Sequence, residues 1–194
     1  MLTLWIAISW LSGSLMFSYW LGLMARHNLG TIGDGNPGGV NLYKAAGFRW
    51  GLTGIALDFL KGYLPVAILL GSGTIEGMAI VPIAAAPVLG HATTPFLKFK
   101  GGKAIAVTFG VWSALTQFEI SLVYAVTLAV LLLIVRGIKG GSSSSRSDAA
   151  QILFGMLIVL GYMLARHFPR ELLWCWLAIF SVLVYSHRRE FRKE

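Results

Sequence analysis

Charge is scarce in this chain: only 12% of its 194 residues are Asp, Glu, Lys or Arg, while 56% are hydrophobic. In water a domain this small must cover its surface with polar groups. The shortage therefore excludes an ordinary soluble globule and leaves the lipid bilayer as solvent. Cysteine is nearly missing too. Cys175 stands alone, which excludes an intrachain disulfide, and its place in the apolar run 172–185 reads as an inert helix position. No Lys or Arg precedes Arg26, so the basic start of a cleaved signal peptide is lacking and the first apolar stretch is expected to remain as a membrane span. Several catalytic signatures are absent. There is no GxSxG elbow, the serines at 142–145 read as a linker, and no pair of His, Cys or carboxylates has metal-ligand spacing. Neither a metal nor a cofactor is expected.

What is present is a series of apolar runs. A helix needs about 20 apolar residues to cross the hydrocarbon layer, and seven candidate runs fall at 2–25, 51–70, 77–96, 104–117, 120–135, 149–165 and 172–185. The expected fold is all-α, a polytopic membrane bundle of about seven transmembrane helices forming a single domain over 1–194. The stretch 137–147, GIKGGSSSSRS, reads as a flexible Gly/Ser loop.

The 16 basic residues are sorted by connection. Arg26, Lys44 and Arg49 follow the first span, Lys98, Lys100 and Lys103 the third, and Arg136, Lys139 and Arg146 the fifth. The tail carries Arg188, Arg189, Arg192 and Lys193, and only Arg166 and Arg170 fall on the opposite side, with Lys61 inside a span. By the positive-inside bias the N-terminus is outside and the C-terminus cytoplasmic. The same sorting argues against a nucleic-acid face, which would gather basic and aromatic residues along one element. No obligate protein partner is evident.

Four polar features interrupt the apolar pattern. The connection after the first span contains GTIGDGNPGGVN at 30–41, with Gly33, Asp34, Gly35, Asn36, Gly38 and Asn41. Glycines allow positive φ and let backbone N–H groups approach an anion, although an ordinary turn-rich loop has the same composition. A second cluster, Lys98-Phe-Lys-Gly-Gly-Lys103, precedes an apolar run. Gly101, Gly102 and Lys103 would then lie at a helix start, where free donors and the helix dipole suit a phosphate, or the lysines anchor the interface by snorkelling. The GxxxxGK[ST] spacing of a P-loop is missing. Asp58 and Lys61 lie three apart within the second span and can neutralise one another on one helix face. An unpaired charge at the bilayer centre costs about 2.5–3.5 kcal/mol. His91, in LGHATTP, and His187, in YSHRRE, are candidate proton carriers or anion donors, and equally interfacial residues.

The order of these features resembles the PlsY family of bacterial acyl-phosphate:glycerol-3-phosphate acyltransferases over nearly the whole chain. GSLMFSYWLG at 13–22 resembles the family's GSIPFGYLLG, and GDGNPGGVN at 33–41 resembles GSGNPGATN. LDFLKGYLP at 57–65 resembles LDFLKGFIP, and LGHATTPFLKFKGGKAIA at 89–106 resembles LGHxxPVFxxFKGGKGVA. Four segments in one order are a specific signal. The departures fall at chemical positions: Asp34 replaces a serine, Val40 interrupts GATN, Lys44 replaces an arginine, Ala104 replaces a glycine, and Glu190 replaces the asparagine of HREN. The family's stretch after the fifth span is also replaced by the Gly/Ser run.

The resemblance implies a seven-span protein of the bacterial inner membrane that moves an acyl group from acyl phosphate to glycerol 3-phosphate, yielding lysophosphatidate for phospholipid synthesis among membrane lipids. It implies phosphate binding by Gly101, Gly102, Lys103 and Lys44, and catalytic duty for Asn36, Asn41 and His187. It places Gly33, Asp34, Gly35 and Gly38 in the substrate loop, with Asp58, Lys61 and His91 in supporting positions. Because Asp34 and Glu190 bring negative charge toward an anionic ligand, two alternatives stand beside this one. They are a non-catalytic relative that binds an anionic lipid or phosphorylated metabolite, and an acyltransferase with a changed acceptor.

Overall fold

A computed structural model describes residues 1–139 and 144–192, and among these no strand occurs. Nine helices follow one another among the described residues: α1 (Leu2–Ser14), α2 (Phe17–Met24), α3 (Gly39–Ala46), α4 (Phe48–Gly71), α5 (Ile80–Ala92), α6 (Ile105–Thr116), α7 (Glu119–Lys139), α8 (Ser145–Ala165) and α9 (Arg170–His187). Each of the seven apolar runs lies on one of them, or on two for the first run. Five segments are long and apolar enough to span a bilayer: Leu2–Met24, Phe48–Gly71, Gly77–Leu97, Glu119–Ile138 and Ser145–Ala165. The shorter α6 packs against α4, α5, α7 and α9. Leucine, valine and isoleucine on α7, such as Leu122, Val126 and Leu133, face outward, as a lipid-facing helix requires. The core is built on Trp112, Tyr124, Met156 and Ile179. Two of its polar tips bond within the bundle: the Tyr124 hydroxyl donates to Ile152 O at 3.0 Å, and Trp176 Nε1 donates to Met156 O at 2.8 Å, whereas Trp112 Nε1 has no partner among the described residues.

Three expectations need correction. The first apolar run is two helices, broken at Leu15 and Met16, where the backbone leaves helical geometry. A break inside a membrane exposes carbonyls that lipid cannot solvate. Here Thr94 Oγ1 donates to Ser14 O at 2.7 Å, and Lys61 Nζ donates to Leu15 O. The glycine-rich connection is not wholly irregular, since residues 39–46 form α3, whose Asn41 and Leu42 are buried. The expected Gly/Ser loop is shorter than 137–147: α7 runs through Gly137 to Lys139, and α8 starts at Ser145. Residues 140–143 lie outside the described residues. The Ser144 hydroxyl accepts from Ser147 N at 3.2 Å and Asp148 lies in the first turn, so this segment carries a helix start.

Close approach of α1 to α5 depends on two glycines. A Cβ on Gly13 would lie 2.0 Å from Pro87 O, and one on Gly90 would lie 2.2 Å from Trp10 O. This contact helps to hold the C-terminal end of α5, and with it His91 and the following loop, against the rest of the bundle.

Candidate active site

The glycine/asparagine loop is wound around one carboxylate. Gly33 and Gly35 take φ of +58° and +77°, a region open to glycine at little cost, and Gly35 N–H closes the turn on Ile32 O at 2.9 Å. Asp34 then points inward. Its Oδ1 accepts from Asn36 N at 3.1 Å and from Asn41 Nδ2 at 2.8 Å, while its Oδ2 accepts from Lys103 Nζ at 2.7 Å and from Ser145 Oγ at 3.3 Å. Asn41 is buried beneath this loop, and its amide also donates to Ile32 O at 2.8 Å and Asn36 O at 3.0 Å. Asn41 thus ties α3 to three points of the turn that precedes it.

Lys103 is the other centre. Its ammonium lies 2.7 Å from Asp34 and 3.2 Å from Glu190 Oε1. Its backbone N–H donates to Asn36 Oδ1 at 3.2 Å, and its carbonyl accepts from Ser186 Oγ at 3.3 Å. Burial opposes a charge on either partner, yet the pair outweighs it. Asp34 is held far below the usual carboxylate range by Lys103 and the donors of Asn36 and Asn41, while the Asp34 and Glu190 carboxylates raise Lys103 above the ordinary lysine value.

The two glycines before Lys103 are placed differently from the expected open helix start. Gly101 N–H donates to Ala92 O at 3.2 Å and Gly102 N–H to His91 O at 3.1 Å, so both donors close the end of α5. A Cβ on Gly101 would lie 1.9 Å from His91 O, and one on Gly102 would lie 2.4 Å from His91 Nε2. The glycines let the loop lie directly on buried His91. Ala104, which precedes α6, sits at φ +60°, where a glycine would be unstrained, and no side chain caps α6.

His187 ends α9 fully buried. Its Nδ1 is 2.8 Å from Leu183 O, and because a carbonyl only accepts, the proton is on Nδ1 and Nε2 carries the lone pair. That Nε2 has no partner among the described residues. Asp58 and Lys61 form a buried ion pair at 2.8 Å, with Ser18 Oγ donating to Asp58 Oδ2 at 2.5 Å and Ser12 Oγ to Lys61 O at 2.8 Å. Through Lys61 they brace the α1–α2 break, while Asp58 lines one cleft together with Asn36 and Lys103.

Two polar cavities flank the Asp34–Lys103 pair. One, of about 340 Å³, is lined by Asn36, Gly101, Gly102, Lys103, Arg188, Arg189 and Glu190. The other, of about 470 Å³, is lined by Gly33, Asn41, Lys44, Lys103, Ser145 and Asp148. Lys44 is exposed on the second, whereas His187 lines neither, so the structure does not bring these two residues onto one cavity wall. An apolar cleft of about 240 Å³ is lined by Asn36, Asp58, His91 and Lys103 together with Ile55, Ala106 and Phe109. Those last three residues also line a second apolar recess, of about 410 Å³, that reaches Phe118 and Leu122.

The structure gathers Asn36, Asn41, Asp34 and Lys103, all singled out in the sequence, into one hydrogen-bonded cluster. Two serines that the sequence reading does not single out, Ser145 and Ser186, join the cluster through Asp34 and the Lys103 carbonyl. Ser145 was read as linker, although the Ser144–Asp148 helix-start pattern marked the segment as structured, and no sequence signal singles out Ser186.

Fold and site together define a multi-pass membrane protein with a cationic polar site at one end of its helix bundle, opening onto an apolar cleft. The sequence pattern of the glycerol-3-phosphate acyltransferases matches residues 3–193, and the chain belongs to that family. Glycerol-3-phosphate acyltransferase 1 of Thermotoga maritima is 35% identical over 192 residues, covering 97% of this chain and 95% of the relative. The Aquifex aeolicus glycerol-3-phosphate acyltransferase is 30% identical over 188 residues, covering 97% and 92%. The crystal structure of PlsY, an integral membrane glycerol 3-phosphate acyltransferase, in its glycerol 3-phosphate form superposes with a TM-score of 0.84 at 25% identity, over 98% of this chain and 90% of that one.

Proposed function

We propose that this chain transfers an acyl group from acyl phosphate to the hydroxyl of glycerol 3-phosphate, releasing lysophosphatidate and inorganic phosphate. One observation carries the reading most directly: Asn36 and Lys103 line both the cationic cavity and the apolar cleft. A substrate with a phosphate at one end and a hydrocarbon chain at the other fits that junction. Lys103, Arg188 and Arg189 supply charge for one phosphate, and Lys44 supplies it for the second on the other side of the Asp34–Lys103 pair. Gly101 and Gly102 contribute close backbone approach, their N–H groups being occupied. Gly33, Gly35 and Gly38 shape the loop, which Asp34 and Asn41 hold in place. The Asn36 amide nitrogen is not used in the hydrogen bonds that fix this loop, so it is the side-chain donor left for charge developing on the acyl carbonyl. The hydrocarbon chain lies in the cleft between α4 and α6.

Acyl phosphate is already activated, so positioning and charge stabilisation suffice without a covalent intermediate. Asp58, Lys61 and His91 act as supports, and His187 acts from behind the cavity wall. The membrane is the bacterial inner membrane, with the N-terminus outside and the site facing the cytoplasm, in line with the basic residues gathered at this end. Purified protein supplied with acyl phosphate and labelled glycerol 3-phosphate should form labelled lysolipid. Output no higher than that of Lys103→Ala would refute the reading. For the orientation, a single cysteine introduced at Arg192 should react with a membrane-impermeant thiol reagent only in inverted vesicles, and labelling in right-side-out vesicles would reverse the topology.

A further inference from the structure

Ile55, Ala106 and Phe109 line both the apolar cleft beside Lys103 and the recess of about 410 Å³, so the two make one apolar path. Helix α6 supplies its floor, packed against α4 on one side and α7 on the other. Two serines line the recess, and both are engaged: Ser113 Oγ donates to Ser121 Oγ at 2.8 Å, and Ser121 Oγ donates to Phe109 O at 2.9 Å. A polar ligand would find no free side-chain partner there, so the recess suits hydrocarbon. Leu122 and Phe118 line it and are themselves exposed, which leaves the recess open toward lipid.

One end of the recess is closed by stacked rings. The Phe59 and Tyr63 rings, at successive turns of α4, lie 5.8 Å apart between centroids, and Phe118 meets them at 6.4 Å and 5.8 Å. Phe59 and Phe118 line the recess and Tyr63 does not, so the recess stops at this cluster. The backbone that puts Phe118 there is a costly one. Gln117 and Phe118 take φ of +48° and +70°, a region that bulky residues avoid. The turn is held by Phe118 N–H donating to Ser113 O at 3.1 Å and Leu122 N–H donating to Phe118 O at 2.9 Å.

We propose that Phe118, backed by Phe59 and Tyr63, sets the length of acyl chain that is transferred, an inference that rests on the function proposed above. With the acyl carbonyl at Asn36 and Lys103, the tail passes Ala106 and Phe109, crosses α6 beside Ser113, and ends against the Phe118 ring. Such a tail leaves one apolar solvent for another, so burial by itself selects little. Selection comes from fit: a chain too long for the recess must bend, or push aside a ring that two others hold.

The test compares wild type, Phe118→Ala and Ala106→Leu in nanodiscs, measuring kcat/KM for saturated acyl phosphates of graded chain length, with thermal melting as the folding control. Comparing the proteins at each length cancels differences in how the donors partition into the membrane. Wild-type kcat/KM should fall about tenfold just beyond its preferred length, the scale of a misfitting methylene. Phe118→Ala should recover that loss and move the preference to longer chains, while Ala106→Leu, which narrows the passage into the recess, should move it to shorter ones. One chain-length profile shared by all three proteins would overturn the proposal and leave the recess to a bilayer lipid. A loss in Phe118→Ala that is equal at every length would also overturn it, reducing Phe118 to a structural residue. No lysolipid from wild type at any length would overturn the acyl-transfer reading itself and this proposal with it. A Phe118→Ala protein that does not fold would move the comparison to Phe118→Leu, for which the same outcomes apply.

Discussion

The Lys103 ammonium lies 2.7 Å from the Asp34 carboxylate, joining the α5–α6 connection to a loop 69 residues earlier in the chain. This contact closes the wall between the two polar cavities. It also holds a negative charge beside the lysine to which the proposed function assigns a phosphate.

Asp34→Ser, the substitution that gives this loop the residue of the sequences it resembles, removes that charge and keeps an acceptor for Asn36 and Asn41. Coulomb interaction at close range in a partly screened site is worth about 1–2 kcal/mol, so KM for glycerol 3-phosphate should fall about tenfold. Steady-state kinetics check this, and an unchanged or higher KM would show that Asp34 does not oppose the substrate.

The same pair predicts a pH window for stability. Asp34 titrates below its ordinary 3.8, so its contribution is present above that value and is lost as pH falls through the depressed value. Lys103 titrates above its ordinary 10.5, so its contribution is present below that value and is lost as pH rises through the raised one. The difference in Tm between wild type and Lys103→Met should therefore stay constant from about pH 5 to about pH 9 and narrow beyond the two limits. Thermal melting across pH measures it, and a difference that varies within the window contradicts the pairing.

Asp58 and Lys61 should respond as a structural pair. Asp58→Asn leaves Lys61 buried without its counter-charge, a loss of about 3–5 kcal/mol, whereas Asp58→Asn combined with Lys61→Met should recover most of it. Melting temperatures and activity of the single and double variants decide the matter. A stable double variant that has lost all turnover would place the pair in substrate binding.

Two glycines, Gly90 in the α1–α5 contact and Gly161 on an open face of α8, should respond in opposite ways. Gly90→Ala puts a methyl against Trp10 O and should destabilise by about 1–3 kcal/mol. Gly161, on α8, has nothing within 4 Å of the place a methyl would occupy, and Gly161→Ala should leave the Tm unchanged or raise it. Equal effects of the two substitutions would show that packing of α1 on α5 is looser than described.

The helical bundle was legible because its cause is local. Long apolar runs have to span or pack in lipid, and lipid requires backbone groups to be satisfied within helices. The break at Leu15 was not legible, because the groups that satisfy its neighbourhood, Lys61 and Thr94, lie far along the chain. Helix α3 was masked by the glycines around it, although Asn41 and Leu42 mark its buried side.

The site divides in the same way. Sequence alone determined that this is a membrane bundle with a glycine/asparagine loop, a KGGK turn and a histidine-containing tail, since residue type and spacing carry those features. Only the tertiary structure decided which groups remain available for chemistry. It occupied the donors of Gly101 and Gly102 with the end of α5, satisfied Asp34 on both oxygens, and left Glu190 Oε2 buried without a partner among the described residues. Hydrogen-bond satisfaction is a property of positions in space, and residues brought together from remote parts of the chain compete for the same donors.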